Sequence, residues 1–249
     1  MVLAQPLPEQ VAWACRMLAL GGQGDFTLGH ASARAADGTI LMKPNKLGLE
    51  EVRPEDVLTL DPNGVKLAGE GPVHLEAVLH TAVYAARPDV GAVIHTHPPY
   101  STAFGATDAK LEMINHDAVL FHDGLALFDQ TAELIMSPEQ GTDIAAALGD
   151  KRVLVMRGHG VLVTGPTLPW AVYAALTLER VIRIQSIART LGELRPMTDE
   201  MAARVFPDKY RDEYLDTYWR YLIRQVRREG LDAGMPAVAP HLATATVEG

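Results

Sequence analysis

Two histidines one residue apart, His95 and His97, end the apolar run Gly91-Ala92-Val93-Ile94. Alternate side chains of an extended strand project to the same face, so the two imidazoles can grip one ion. One strand cannot surround a cation. The best source of a third ligand is His159, in Gly158-His159-Gly160 between the apolar runs 153–156 and 161–163, which read as strands. The flanking glycines leave room for its ring to be aimed inward. Three imidazoles suit zinc or another first-row cation such as manganese, iron or cobalt, and three protein ligands leave one position open for water or substrate. The competing reading is three unrelated histidines, each hydrogen-bonded at a strand end.

These residues need elements to hold them. Residues 74–86 read as a helix with Leu75, Val78, Leu79 and Ala82 as its apolar stripe, ended by Pro88. Glu76 stands in its first turn, where the helix dipole favours a carboxylate whether or not it has chemistry to do. Upstream, residues 8–20 read as a helix begun by Pro8 and stopped by Gly21-Gly22. Residues 24–42 follow as a hairpin at one edge of a sheet, turning at Asp37-Gly38. The polar loop 43–48 is either an ordinary connection or a segment mobile enough to reach a ligand. A second hairpin, 57–60 with 65–67, turns at Asp61-Pro62-Asn63-Gly64.

Beyond the histidine pair, Pro98-Pro99 breaks the strand, and residues 101–106 read as a short helix beneath the site. His116-Asp117 and His122-Asp123 resemble a second metal cluster, but neighbours on a strand face opposite ways, so a loop or subunit contact is expected there. Ser137-Pro138-Glu139-Gln140 has the form of a capped helix start. Strands are expected at 152–156 and 160–164, a long helix over 168–191, and one helix with an aromatic face over 207–228.

With 249 residues and 48% hydrophobic content the chain can bury a substantial core. One domain over residues 1–230 is expected, with 231–249 as a flexible C-terminal tail that hangs loose or drapes over a partner. The net charge of −9 argues against a nucleic-acid surface, and the basic stretch 224–228 reads as a solvated helix face. The single cysteine, Cys15, fits a reducing compartment. Neither a secretory leader nor an apolar run of about 18 residues is visible, so a soluble cytoplasmic protein without membrane contact is expected.

Taken in order, Glu76, the helix behind it, Arg87-Pro88-Asp89-Val90, His95-Thr96-His97 and Gly158-His159-Gly160 resemble the class II aldolase/adducin family, from about residue 24 to about residue 189. The resemblance implies an α/β fold, a three-layer αβα arrangement with a central, mostly antiparallel sheet flanked by helices. It implies one divalent metal ion per subunit, zinc or else manganese, iron or cobalt, held by His95, His97 and His159. Glu76 then lies beside the ion as the residue that moves the proton, and a homotetramer with sites at subunit boundaries is expected. The shared chemistry is stabilisation of an enolate-type carbanion, reached by release of an aldehyde or of carbon dioxide.

The chain departs from the fuculose phosphate aldolases of that family at the positions that bind phosphate. Their asparagine after the first hairpin's glycine, their Thr-Gly pair in the next loop and their two serines before the glutamate correspond to His30, Asn45-Lys46 and His74-Leu75. Together with Lys43, these are cationic or hydrogen-bonding groups suited to a carboxylate or a phenol. The expected function is therefore a carbon-carbon lyase acting on a small acidic molecule, a decarboxylase of a hydroxylated aromatic or heteroaromatic carboxylic acid. The alternatives are an aldolase or epimerase on a sugar or sugar phosphate, and a non-catalytic adducin-like module. Intact Glu76, His95, His97 and His159 speak against the module, since a scaffold has no use for an open metal site.

Overall fold

The computed structural model describes residues 5–131 and 133–237. Its strands are β1 (His30–Arg34), β2 (Ile40–Met42), β3 (Leu58–Leu60), β4 (Lys66–Ala68), β5 (Ala92–Thr96), β6 (Ala126–Phe128), β7 (Val153–Met156) and β8 (Val161–Gly165). They join in one sheet in the order β4-β3-β2-β1-β5-β8-β7-β6. Every pairing is antiparallel except β6 with β7. The helices are α1 (Leu7–Leu18), α2 (Val78–Ala86), α3 (Pro99–Gly105), α4 (Pro138–Leu148), α5 (Leu168–Leu191), α6 (Asp199–Lys209) and α7 (Asp212–Arg228).

Two cores explain the layering. In the central strands alternate residues are apolar on both sides, which demands a cover on each face. Ala92, Ile94, Val153, Val155, Val161 and Val163 pack with α1, α5 and α7, whereas Val93, Leu154, Met156 and Leu162 pack with α2 and α4. The result is the expected three-layer αβα fold. Ser137 caps α4 through a reciprocal pair, its hydroxyl accepting from the Gln140 N–H while Gln140 Oε1 accepts from the Ser137 N–H.

Four expectations change. The first hairpin is not at an edge, because β1 pairs with β5 on its far side and the outer strands are β4 and β6. Turn residues show which strands are consecutive partners but not what docks on their outer side. Leu75 is 64% exposed, and α2 presents Leu79, Val83 and Tyr84 to the core, because a separate 3₁₀ turn, Leu75–Ala77, precedes it. Within that turn Glu76 has φ −91° and ψ 24°, which rotates the stripe away from the expected face.

The helix expected over 207–228 is two helices, parted where Tyr210 and Arg211 leave helical dihedrals. Its tyrosines divide, Tyr210 and Tyr218 packing on Tyr173 of α5. Leu215, Trp219, Ile223 and Val226 make the stripe that packs on α1 and α5, while Tyr214 and Tyr221 are exposed. The loop of His116 and His122 brings no metal group together among the described residues: Asp117 pairs with Arg180 and the His122 ring lies on Phe206. No helix of the described residues is long and apolar enough to cross a membrane.

The expected tail is held at its start, and residues 238–249 lie outside the described residues. Arg16, buried on α1, donates to the carbonyls of Glu51, Val52, Leu231 and Ala233 at 2.6–3.1 Å. Arg16→Met would strand those acceptors, and a hydrogen bond to a charged group contributes about 1.5–3 kcal/mol net of the water bonds it replaces. We expect a loss of about 3 kcal/mol, read as a melting-temperature drop of roughly 6–12 °C for a domain of this size. An unchanged melt would mean that water replaces the guanidinium.

Candidate metal centre

β5 carries His95 to the centre of the sheet with its side chain on the α2 face, directly across from His30 on β1. His97 follows just past the strand end. The turn after β7 brings His159 up from the neighbouring strands, with Gly158 in the left-handed region at φ 68°. Gly160 is required by contact. A Cβ there would lie 2.5 Å from the Thr96 carbonyl oxygen and from His97 Cδ2.

The outer nitrogens define the tautomers. His95 is fully buried, and its Nδ1–H donates to the Val161 carbonyl at 3.0 Å. His97 Nδ1–H donates to Asp25 Oδ2 at 3.1 Å. Both Nε2 atoms are therefore bare, and they face each other at 3.1 Å. Two lone pairs at that distance repel unless a cation or proton lies between them. Metal-to-nitrogen bonds of about 2.0–2.1 Å at a tetrahedral angle hold two ligand nitrogens about 3.3–3.4 Å apart. The His159 ring closes the group, 4.9 Å from the His95 ring and 5.1 Å from that of His97, with ligand atoms of all three within 4.8 Å. A divalent ion fits this donor set, its outer shell supplied by a carbonyl and a carboxylate.

Glu76 reaches the same point from the turn before α2. Its Oε1 accepts from the Ile135 N–H at 3.1 Å, and its oxygens lie 3.6 Å from His95 Nε2 and 3.7 Å from His159 Nε2. Burial raises its carboxyl above the ordinary glutamate range, partly offset by the Ile135 amide. Oε1 is thus anchored while also facing His159, and Oε2 faces His95.

The sequence-derived substrate set divides. The His30 ring lies 4.3 Å from that of His74 and 5.1 Å from that of His95, so these two imidazoles form a wall beside Glu76. Lys43 is fully buried behind that wall, donating to the carbonyls of Thr27 and Pro44 and to His74 Nε2. All three of its N–H donors are thus occupied, and its burial is not what a polar loop leads one to expect. Burial brings Lys43 down to about 8, and burial together with the Lys43 charge brings His74 down to about 3. Asn45 spends its side-chain oxygen on the Lys46 N–H, and Lys46 is exposed at φ 70°. Neither is hydrogen-bonded to the histidine group among the described residues.

Several residues at the site carried no usable sequence signal. Asp25 orients His97, and its segment is pinned by Gln23, which accepts from the Thr96 hydroxyl and donates to the Ala175 carbonyl. Glu179 of α5 caps α3 by accepting from the N–H groups of Tyr100 and Ser101 and from the Ser101 hydroxyl, which steadies the chain just after His97. His80, four residues beyond Glu76 on α2, bonds His30. Its spacing from Glu76 was the one visible hint.

Gly160→Ala would push His97 off its position. Because losing only an outer partner weakens metal binding by about 10–100-fold, chelator competition should show a loss of at least that order, with a lowered melt as well because the Thr96 carbonyl must also shift. Unchanged affinity would mean that the 158–160 turn yields without moving His97.

Comparison with known proteins agrees with this geometry. Residues 9–186 match the family model described as class II aldolase and adducin N-terminal domain. The chain is 27% identical over 233 residues to a 3,4-dihydroxyphthalate decarboxylase of Arthrobacter keyseri, covering 88% of this chain and 93% of that one. It is 30% identical over 168 residues to a 5-methylthioribulose-1-phosphate/5-deoxyribulose-1-phosphate aldolase of Rhodospirillum rubrum, 68% of this chain and 75% of the other. Among solved structures, an aldolase II superfamily protein from Pseudomonas syringae superposes with a TM-score of 0.81 at 27% identity, covering 91% and 94% of the two chains.

Proposed function

This chain belongs to the class II aldolase and adducin family and is a metal-dependent lyase, and from that premise we propose that it decarboxylates a hydroxylated aromatic or heteroaromatic carboxylic acid. In this reading His95, His97 and His159 hold one divalent ion per subunit, zinc or else manganese, iron or cobalt. When bound, the ion supplies positive charge for a chelating pair of substrate oxygens and for the electron pair left by bond cleavage.

The observation that carries the reading is the wall of His30 and His74 beside Glu76, backed by the buried ammonium of Lys43. Flat imidazoles suit a flat acid. They take the positions at which the family's sugar phosphate enzymes have small hydrogen-bonding side chains. Protonation of the ring carbon that bears the carboxylate, driven by the ionised neighbouring hydroxyl, makes that carbon tetrahedral. Its bond to the carboxylate then breaks, carbon dioxide leaves, and the bonding pair returns to the ring and the phenolate oxygen. Glu76, whose carboxyl pKa is raised by burial, delivers the proton to that carbon and later regains one from water. His95 and His97 are held in their ligating tautomers by Val161 and Asp25 throughout.

The second reading, an aldolase on a sugar phosphate, is favoured by the 30% identity to the methylthioribulose phosphate enzyme. Elemental analysis of protein purified without added metal, followed by a carbon dioxide release assay on hydroxybenzoates, dihydroxyphthalates and hydroxypyridine carboxylates, separates the two. About one metal per chain with carbon dioxide from any of these supports decarboxylation. Metal without carbon dioxide, and an aldehyde from a ketose phosphate, overturns it.

The same proposal includes a cytoplasmic homotetramer with sites at subunit boundaries. Phe26, Leu28, Leu75, Leu134 and Met136, exposed apolar side chains that flank Asp25, Glu76 and Ile135, support a partner covering this rim. A monomer at working concentration by light scattering would sink it.

A further inference from the structure

A line of buried polar side chains runs from the site into the core. His30 Nδ1 lies 2.7 Å from His80 Nε2, Ser32 Oγ lies 2.6 Å from His80 Nδ1, and Tyr84 Oη lies 2.7 Å from Ser32 Oγ. None of the four side chains is more than 4% exposed. A histidine pair at such a distance, held where charge is disfavoured, consists of one N–H donor and one bare acceptor. The line therefore has two possible polarities.

Its inner end chooses between them. The hydrogen-bond partner of the Tyr84 hydroxyl is Ser32 Oγ, and the other polar group against the Tyr84 oxygen is the Val93 amide, itself a donor. The phenolic proton must go to Ser32, since the opposite polarity would strand a buried O–H. Ser32 then donates to His80 Nδ1, His80 carries its proton on Nε2 and donates to His30 Nδ1, and His30 carries its proton on Nε2. One ring nitrogen of His30 lies within 4.8 Å of ligand atoms of Glu76 and His95. With Nδ1 engaged by His80, the nitrogen left for that side is Nε2.

We propose that Tyr84, Ser32 and His80 are positioning residues that hold His30 as an Nε2–H donor aimed at the substrate oxygen on which negative charge collects. The same tautomer bars His30 from ligating the ion, because a ligating nitrogen must be bare. His30, Glu76 and His95 by themselves form a second geometrically acceptable metal group, so the relay decides which group of histidines takes the metal. The donor role rests on the lyase reading above. The tautomer does not.

Neutron diffraction from the zinc-loaded, deuterium-exchanged protein tests the tautomer directly. Deuterium on His30 Nε2 and on His80 Nε2 is expected, and deuterium on His30 Nδ1 overturns the proposal whatever the substrate proves to be. The donor role is read from variants. Glutamine can place an N–H near the position of Nε2, so His30→Gln should keep kcat within about tenfold, whereas His30→Leu should lose about 10²–10³-fold, the effect of removing one preorganised donor. Zinc content should stay at the wild-type level in both. Equal loss of activity in the two variants overturns the donor role, and loss of zinc in His30→Leu makes His30 a ligand. If no acid on the panel releases carbon dioxide while the neutron map shows Nε2 deuterated, the substrate class fails and the relay stands.

Discussion

His95→Ala should remove metal and activity together. The residue is fully buried at the centre of the sheet, with Nδ1–H bound to the Val161 carbonyl and Nε2 3.1 Å from that of His97. Alanine deletes one of three imidazoles and leaves a gap facing Glu76. Losing only an outer partner costs about 10–100-fold in affinity; losing a ligand in a three-ligand site should exceed that, so metal after dialysis should fall from about one per chain to below a tenth. Activity should fall in proportion. Circular dichroism should stay unchanged, because the core residues on its face of the sheet, Val93, Leu154 and Leu162 among them, keep their own packing. A variant that retains full metal would transfer the site to another group of residues.

Glu76→Gln should separate what the first substitution removes together. The amide oxygen can still accept from the Ile135 N–H that now binds Oε1 at 3.1 Å, so the turn before α2 keeps its shape. What is lost is a carboxyl able to give and regain a proton. General acid catalysis by a positioned group is worth about 10²–10⁴-fold, and kcat should fall by that amount with metal content at the wild-type level. The closeness of both carboxyl oxygens to histidine Nε2 atoms, 3.6 and 3.7 Å, makes the opposite result meaningful. Loss of metal in the glutamine variant would show that Glu76 is chiefly a ligand.

Much of the fold follows from local rules. The helix expected over 168–191 is α5, Leu168–Leu191, because its apolar period is unbroken and Gly192 ends it. The capped start at Ser137 forms as read. Where a local rule met a long-range contact, it failed. The aromatic period of 207–228 hid a break at Tyr210, whose hydroxyl instead donates to the carbonyls of His116 and Asp117. Tertiary bonds with partners more than 90 residues away outweighed helical continuity.

The site divides in the same way. Strand alternation and the glycine bracket are local patterns, and they pointed to His95, His97 and His159 as candidate ligands; motif order gave the family, and the resemblance gave Glu76 its expected role. Which polar side chains surround them depends on strands and helices that meet only after folding. Lys43 looked like a loop cation and is a buried strut. His80, Ser32 and Tyr84 looked like ordinary residues of α2 and β1, yet they bond one another across 48–52 positions of sequence. Short-range periodicity says which face of an element is turned inward; only packing decides which polar group it meets there, and so which nitrogen of His30 carries the proton.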